Sequence, residues 1–327
     1  MTHLSGRIRR QFDRSAAGLY DQNAAVQRFM TAQLARLIRD ELLLPPHSRL
    51  ARIPAGHLPV LEIGCGTGLL TERLAALLPP GGEMTAADLS PAMLDAARNR
   101  LGARSGRNDR GSDAPRESSA PAPISPGFPD NEPDSVRFLQ ADIEKWAADA
   151  PSSSYGLIAS SACFQWFTRP AQTLFHLRRL LKPGGKLMFA TFGPATFTEL
   201  HRSFDKAYRS MEIPPQRHGL SFHGGDEWTD MLRQAGFGEI RTTRLVRTEY
   251  FPDVALFLKS VKSLGASTTN ALQLPGLSPR RLFSGMFEHY EKDYGTQGRI
   301  PVTYELLFIR ATWTDLSLRS SLCFFLR

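Results

Sequence analysis

Residues 60–68 have the sequence VLEIGCGTG and decide the fold of this chain. The first four residues predict a short buried strand, and the glycine-rich segment after them predicts a tight turn into a helix. Gly64, Gly66 and Gly68 let the backbone approach a ligand in conformations that a side chain would hinder. Because the turn follows the carboxyl end of a strand, it predicts a binding crevice at that edge of the sheet.

The spacing of these glycines indicates the kind of ligand. Dinucleotide-binding loops have the spacing GxGxxG, which suits a pyrophosphate, whereas this loop has GxGxG. Glu62 stands two positions before the first glycine, where it is badly placed for a pyrophosphate but well placed to organise a loop around a cationic ligand. The alternative is a plain glycine turn that binds nothing.

Two further acidic residues end predicted strands. Asp88 closes the strand 83–88, where a carboxylate can accept the ribose hydroxyls of a nucleoside. Asp142 closes the next strand and is followed by Ile143, so that the pair can meet an adenine amine and ring. A helix-capping role for Asp88 and a surface turn for Asp142 are the alternatives. Acidic residues at three successive strand ends are more specific than any one of them.

Strands and helices alternate along most of the chain. This alternation predicts an α/β fold with a mostly parallel sheet covered on both faces. A helix is predicted at 23–44, before the first strand, and is ended by two prolines. The predicted strands are 60–63, 83–88, 136–142, 155–160, 186–192, 239–250 and 304–313.

The composition is that of a soluble globular protein with a basic excess. Lys and Arg number 40 against 32 Asp and Glu, which favours an acidic partner, but no run of five basic residues predicts a nucleic-acid tract. Cys65, Cys163 and Cys323 are far apart and lack CxxC spacing, so we predict no disulfide and no metal site. The absence of a long apolar run excludes membrane-spanning helices. A cytoplasmic monomer is expected.

Four segments resemble the successive motifs of class I methyltransferases, in the same order. They are VLEIGCGTG (60–68), AADLSPAML (86–94), LQADIEKW (139–146) and LLKPGGKLMFATFG (180–193). The resemblance implies a Rossmann-like sheet of seven strands, the last antiparallel, and S-adenosylmethionine as cofactor. The implied cofactor contacts are Glu62, Gly64, Cys65, Gly66, Gly68, Asp88, Leu89, Asp142 and Ile143.

The flanking segments resemble a narrower family, the biotin-pathway malonyl-acyl-carrier-protein O-methyltransferases. The similarity lies in residues 12–17, 20–21, 24–25, 27, 164–166, 189–194, 199–200, 258–266 and 303–305. It implies methyl transfer to the free carboxylate of a malonyl thioester on acyl-carrier protein, feeding pimeloyl and biotin synthesis. Two alternatives stay open: a methyltransferase of a quinone precursor or small free acid, and a non-catalytic cofactor-binding assembly protein.

The resemblance also implies a domain organisation. An N-terminal helical lid (1–45) precedes the methyltransferase domain (46–315), which carries lid segments at 193–227 and 251–302. The polar insertion 103–133 has almost no apolar residues to bury, so we expect it to be disordered. The tail 316–327 has no assignable pattern.

The candidate substrate-side residues lie outside the glycine loop. We expect the N-terminal lid to place Tyr20 in the methyl-transfer zone; the alternative is a tyrosine of the core. Gln165 and Trp166 follow the fourth strand, where substrate meets the methyl group in this fold, and simple packing is the alternative for Trp166. No Ser-His-Asp set is evident, and none is required, because a carboxylic acid is already ionised at neutral pH.

Cations that could attract an acidic carrier are Lys259, Lys262, Arg280 and Arg281; a merely solvated basic face is the alternative. The histidines at 201, 218 and 223 are interpreted as lid or surface residues.

Overall fold

A computed structural model describes residues 3–16, 24–42, 59–108, 136–216, 218–264 and 279–314. Within these ranges, seven strands form one mixed sheet in the order β3-β2-β1-β4-β5-β7-β6. The strands are β1 (Val60–Ile63), β2 (Met84–Asp88), β3 (Val136–Gln140), β4 (Tyr155–Ser161), β5 (Leu181–Phe192), β6 (Gly238–Phe251) and β7 (Ile300–Thr312).

The first five strands pair in parallel, whereas β7 runs antiparallel to both β5 and β6. The predicted α/β sheet of seven strands with an antiparallel last strand is therefore confirmed. Since parallel strands end at the same edge, the carboxyl ends of β1, β2, β3 and β4 come together there.

Helices cover both faces of the sheet and bury two apolar clusters. One cluster packs α2 (Ala25–Leu42), α3 (Leu69–Ala75), α4 (Pro91–Asn108), α7 (Thr198–Ser210), α9 (Val254–Ser263) and α10 (Pro279–Tyr294). The other packs α5 (Ile143–Asp149), α6 (Pro170–Leu180) and α8 (Gly225–Gln234). Neighbouring residues of one strand belong to different clusters, as Val60 and Leu61 do, because successive side chains of a strand point to opposite faces.

The two N-terminal helices have different surroundings. Helix α1 (His3–Ala16) lies near the ligand edge and contacts α4. Helix α2 instead buries Met30, Leu34 and Ile38 in the core, and Glu41 near its end forms ion pairs with Lys186 and Arg310 of the sheet. Helix α2 thus belongs to the body of the domain.

Some boundaries differ from the sequence-based expectations. Helix α4 continues to Asn108, so the first residues of the expected disordered insertion 103–133 are helical; residues 109–133 lie outside the described ranges, as does the tail 316–327. Strand β5 begins at Leu181, because Leu181 already pairs with Tyr155 before a register shift at the Pro-Gly-Gly segment. Within the described part of the chain, no helix has the length and apolarity needed to cross a bilayer.

Candidate active site

The glycine loop leaves the carboxyl end of β1 with left-handed backbone geometry. Gly64 has φ +67° and Gly66 has φ +53°, a region that disfavours residues with a side chain. A Cβ atom on Gly64 would lie 2.5 Å from Sγ of Cys163, whereas one on Gly66 would meet no atom within 4 Å. The loop is therefore packed against the protein at Gly64 and open at Gly66.

Asp88 connects the end of β2 to this loop. Its Oδ2 accepts a hydrogen bond from the Gly66 amide at 2.9 Å, and its Oδ1 accepts one from the Ser90 amide at 2.8 Å. The side chain is buried, and burial raises its pKa above the ordinary value. The two bonds fix the carboxylate, whose oxygens keep further acceptor positions for a ligand.

Glu62 lies behind the loop rather than at its open side. It is 1% exposed, and burial, with the charge of Asp88 adding to the effect, raises its pKa from 4.5 to about 8. Its Oε2 has no hydrogen-bond partner among the described residues. A cation bound beyond the loop would favour the ionised form of this carboxyl group.

A cavity of about 120 Å³ opens beside the loop at the ligand edge. Of the predicted cofactor residues and their neighbours, those that line it are Gly64, Gly66, Asp88, Leu89, Asp142, Ile143 and Trp166. The structure places Glu62, Cys65 and Gly68 outside the lining. Cys65 is buried in the core, and Gly68 approaches helix α4, where an added Cβ would lie 3.0 Å from Ala97.

Helix α1 covers part of this cavity. Ile8 and Phe12 line it, and the Phe12 ring meets Trp166 edge-on with centroids 5.3 Å apart. The Ser90 hydroxyl donates to Oδ1 of Asp13 at 2.6 Å, which ties α1 to the start of α4. Tyr20, the predicted methyl-transfer residue, lies outside the described residues.

Gln165 and Trp166 lie on a short 3-10 helix, Phe164–Trp166, after β4. Nε2 of Gln165 donates to the carbonyl of Ala162 at 2.7 Å, and its Oε1 accepts from Oγ1 of Thr191 at 3.0 Å. The amide is thus held from both ends, and its orientation is set by β4 and β5.

A second, larger cavity of about 470 Å³ lies beyond Trp166. Its walls come from the residues after β5 and from α7, α9, α10 and β7, and they are mainly apolar and aromatic. Trp166 lines both cavities, whereas Gln165 lines only this one. The indole ring of Trp166 therefore lies between a small crevice beside the glycine loop and a larger, mainly apolar cavity.

The predicted cationic residues occupy two kinds of position. Lys262 on α9 is exposed and also lines the second cavity. Lys259 on the same helix, and Arg280 and Arg281 at the start of α10, are exposed and do not line it.

Sequence reasoning missed several residues of the site. A helical lid was expected over residues 1–45, but the only helix given bounds there was 23–44, and α1 was not delimited. Ile8 and Phe12, four positions apart in an arginine-rich stretch, are a weak sign of its apolar face. His218, interpreted from sequence as a lid or surface residue, is 7% exposed and lines the second cavity with His201. His223 does lie at the surface, where its Nδ1 is 3.2 Å from Oε1 of Glu227.

The sheet order and the glycine-lined cavity together define a class I methyltransferase. The sequence matches the methyltransferase domain family over residues 26–240. Two solved structures share the fold: BH2331 of Bacillus halodurans (TM-score 0.52, 16% identity, covering 87% of this chain and all of the other) and YcgJ of Bacillus subtilis (TM-score 0.52, 13% identity, covering 87% and 99%).

Proteins with similar sequences define a narrower family within this class. A malonyl-acyl-carrier-protein O-methyltransferase from Paenibacillus sp. is 42% identical over 93% of this chain and 97% of its own length. One from Brevibacillus brevis is 38% identical, covering 77% and 80%, and one from Geobacter sulfurreducens is 31% identical, covering 92% and 96%. The chain belongs to the family of malonyl-acyl-carrier-protein O-methyltransferases.

Proposed function

We propose that this protein transfers a methyl group from S-adenosylmethionine to the free carboxylate of a malonyl thioester carried by acyl-carrier protein, feeding pimeloyl and biotin synthesis. The observation that carries the proposal is the pair of cavities that share Trp166. One has the polar groups that a nucleoside needs, and the other has the size and apolar walls that suit a substrate chain. The names of the relatives support the choice of substrate.

The residues of the first cavity fit S-adenosylmethionine. The open side of Gly66 leaves room for a ligand against the backbone, and Asp88 has free acceptor positions for ribose hydroxyls. Asp142 and Ile143 offer an acceptor and an apolar surface for the adenine. Glu62, buried behind the loop, would be shifted towards its ionised form by the positive charge of the bound sulfonium. When bound, the cofactor supplies an electrophilic methyl group on a sulfonium.

The chain's own residues would contribute positioning rather than acid-base chemistry. The malonyl carboxyl group has a pKa near 4 in water, so at neutral pH it is already a nucleophile and needs no general base. Gln165 and Trp166 would orient it, since the amide is fixed at both ends and the indole faces both cavities. In-line alignment of this kind can lower a barrier by roughly 7–11 kcal/mol.

Exclusion of water is the second contribution. Ile8 and Phe12 of α1 cover the first cavity, and aromatic side chains surround the second. A carboxylate held there loses part of its hydration shell, which makes it a stronger nucleophile.

The cations of α9 and α10 would attract the carrier. Acyl-carrier protein is acidic, and this chain has a net charge of +8, with exposed Lys259, Lys262, Arg280 and Arg281 near the second cavity. Complementary charge of this kind increases the rate of encounter more than the lifetime of the complex.

A methyl-labelled cofactor assay tests the proposal. Purified full-length protein is incubated with labelled S-adenosylmethionine and either malonyl-acyl-carrier protein, a quinone precursor or buffer. We expect label only in a base-labile methyl ester of the malonyl substrate. Label in the quinone precursor would replace the proposal with ring methylation, and no label in any arm from protein that binds the cofactor would indicate a non-catalytic role.

A further inference from the structure

His218, in the wall of the second cavity, has an incomplete set of hydrogen bonds. It lies between α7 and α8, is 7% exposed, and stacks on Phe204 with ring centroids 3.8 Å apart. Its Nε2 is 2.8 Å from the hydroxyl of Tyr208. Its Nδ1 is buried and has no hydrogen-bond partner among the described residues.

The contact with Tyr208 fixes where the ring proton lies. Burial lowers the pKa of His218 and raises that of Tyr208, so both side chains are neutral at neutral pH. If the hydroxyl donates to Nε2, only the Nδ1–H group is left unpaired. The reverse arrangement would leave both the hydroxyl proton and the Nδ1 lone pair unpaired, which is less favourable in a buried site. Nδ1 is therefore assigned as the protonated nitrogen.

An unpaired buried N–H group indicates a missing acceptor. A ligand in the second cavity could supply one, since the ring forms part of its wall. The ring is neutral and packs against the rings of Phe204, Tyr208 and Phe283, so a neutral carbonyl oxygen fits this donor better than a carboxylate, whose charge these aromatic neighbours would not balance. The substrate arm of a malonyl thioester carries such carbonyls, at the thioester and at its amides.

We propose that His218 is a substrate-positioning residue that donates its Nδ1–H to a carbonyl oxygen of the thioester arm in the second cavity. The inference rests on the proposed function, because it takes the thioester arm as the occupant of this cavity. The arm would extend past exposed Lys262 towards Trp166, both of which line the cavity, and the hydrogen bond would set how far the malonyl end reaches.

Two variants separate the two ring nitrogens. His218→Gln keeps an amide near the position of Nε2, where it can meet Tyr208, but removes the Nδ1 donor. His218→Asn places an amide nitrogen near Nδ1. We expect His218→Gln to raise KM for malonyl-coenzyme A about fivefold to tenfold with a smaller change in kcat, the range expected for one neutral hydrogen bond, and His218→Asn to recover most of that loss. His223→Gln, at the surface, is the matched control and should change neither constant.

Direct binding makes the test independent of turnover. Calorimetry measures the Kd of malonyl-coenzyme A in the presence of S-adenosylhomocysteine for the wild type and each variant, and the Kd of S-adenosylhomocysteine alone checks that the first cavity is intact. We expect the thioester Kd, and not the nucleoside Kd, to rise in His218→Gln.

The outcomes distinguish this inference from the proposed function. Equal thioester Kd values in the wild type and His218→Gln, no recovery in His218→Asn, or no thioester binding by the wild type would overturn the role of His218. A wild type that binds the thioester but forms no methyl ester would instead overturn the proposed function, while a weaker Kd in His218→Gln would still support the positioning role.

Discussion

At the scale of single residues, Asp88 is the side chain on which cofactor binding depends most. It holds the Gly66 and Ser90 amides through its two oxygens and lines the first cavity. We expect Asp88→Ala to weaken S-adenosylmethionine binding about tenfold or more, equivalent to about 1.4 kcal/mol, because the ribose acceptor and the loop anchor are both lost. Calorimetry measures the affinity.

The control for this variant is Asp95→Ala, on the exposed surface of α4, where Asp95 pairs with Arg98. Its thermal midpoint and affinity should match the wild type. An Asp88→Ala protein that folds and binds the cofactor with undiminished affinity would remove Asp88 from the site.

Glu62 predicts a dependence of stability on pH. Its pKa is about 8 in the folded protein and 4.5 ordinarily, so between these values the folded state retains a proton that the unfolded state has lost. Below about pH 4.5 the ionisation of Glu62 does not lower the free energy of unfolding. As the pH rises from there towards 8, the free energy of unfolding falls by up to about 1.4 kcal/mol per pH unit. Glu62→Gln should therefore flatten the decline in the ligand-free protein.

Denaturant unfolding at pH 5.5 and pH 8.5 checks this expectation. The free energy of unfolding of the variant minus that of the wild type should be larger at pH 8.5 than at pH 5.5. Identical pH slopes in the two proteins would show that Glu62 is not the buried acid described above.

Some residues of the site could be predicted from the sequence, and others could not. Asp88 and Asp142 could be found because each acid ends a strand, and parallel strands bring their ends together. His218 could not, because its segment is polar and its burial depends on how Phe204 and Tyr208 of the preceding helix α7 and Phe283 of α10 pack around it. Long-range packing of this kind leaves no local pattern.

At the scale of elements, α1 covers part of the first cavity. The cavity of about 120 Å³ is smaller than the roughly 300–1,000 Å³ of most small-molecule sites, so we expect α1, which supplies Ile8 and Phe12, to move outward when a nucleoside binds. Phe12→Ala should increase the association and dissociation rates of S-adenosylhomocysteine roughly threefold to tenfold, because it removes the ring contact with Trp166.

Stopped-flow tryptophan fluorescence measures these rates, since the contact partner is itself an indole. Phe175→Ala, at a half-exposed ring on α6, is the control and should leave both rates unchanged. Unaltered rates in Phe12→Ala would mean that α1 does not gate the cavity.

Helices α9 and α10 predict a separate effect on the carrier. Charge reversal of Lys259 and Lys262 to glutamate should raise KM for malonyl-acyl-carrier protein about fivefold or more at low salt, and less at high salt, because exposed charges are screened. Steady-state kinetics at two ionic strengths check this. Arg233→Glu, on α8 across the sheet, is the control, and equal KM values in the double variant and the wild type would exclude this docking surface.

Elements differed in how well the sequence predicted them. Strand β1 and its glycine turn agree with the expectation because a buried run and three glycines leave few alternatives. The end of α4 was missed because the residues after Leu101 include two glycines and a serine, which favour a helix poorly. Helix α1 has a mainly polar sequence, and its apolar residues become informative only through the cavity they cover.

Across the molecule, the described residues form two apolar clusters, one on each face of the sheet. Residues 109–133 have a sequence nearly devoid of apolar side chains. Replacing residues 110–133 with a short glycine-serine linker should change the thermal midpoint by less than about 3 °C and leave kcat/KM within about twofold. Thermal unfolding and the methyl-transfer assay measure both, and loss of soluble or active protein would show that the insertion contributes to the fold.

The proposed reaction requires a nucleoside bound between the glycine loop and Asp88. Titration calorimetry of the wild-type protein with S-adenosylhomocysteine measures this binding. We expect one site per chain, with a Kd that weakens about tenfold or more in Asp88→Ala and is unchanged in Asp95→Ala. A fully folded wild-type protein that binds no S-adenosylhomocysteine would contradict the nucleoside site at the glycine loop and Asp88, and with it the proposed function.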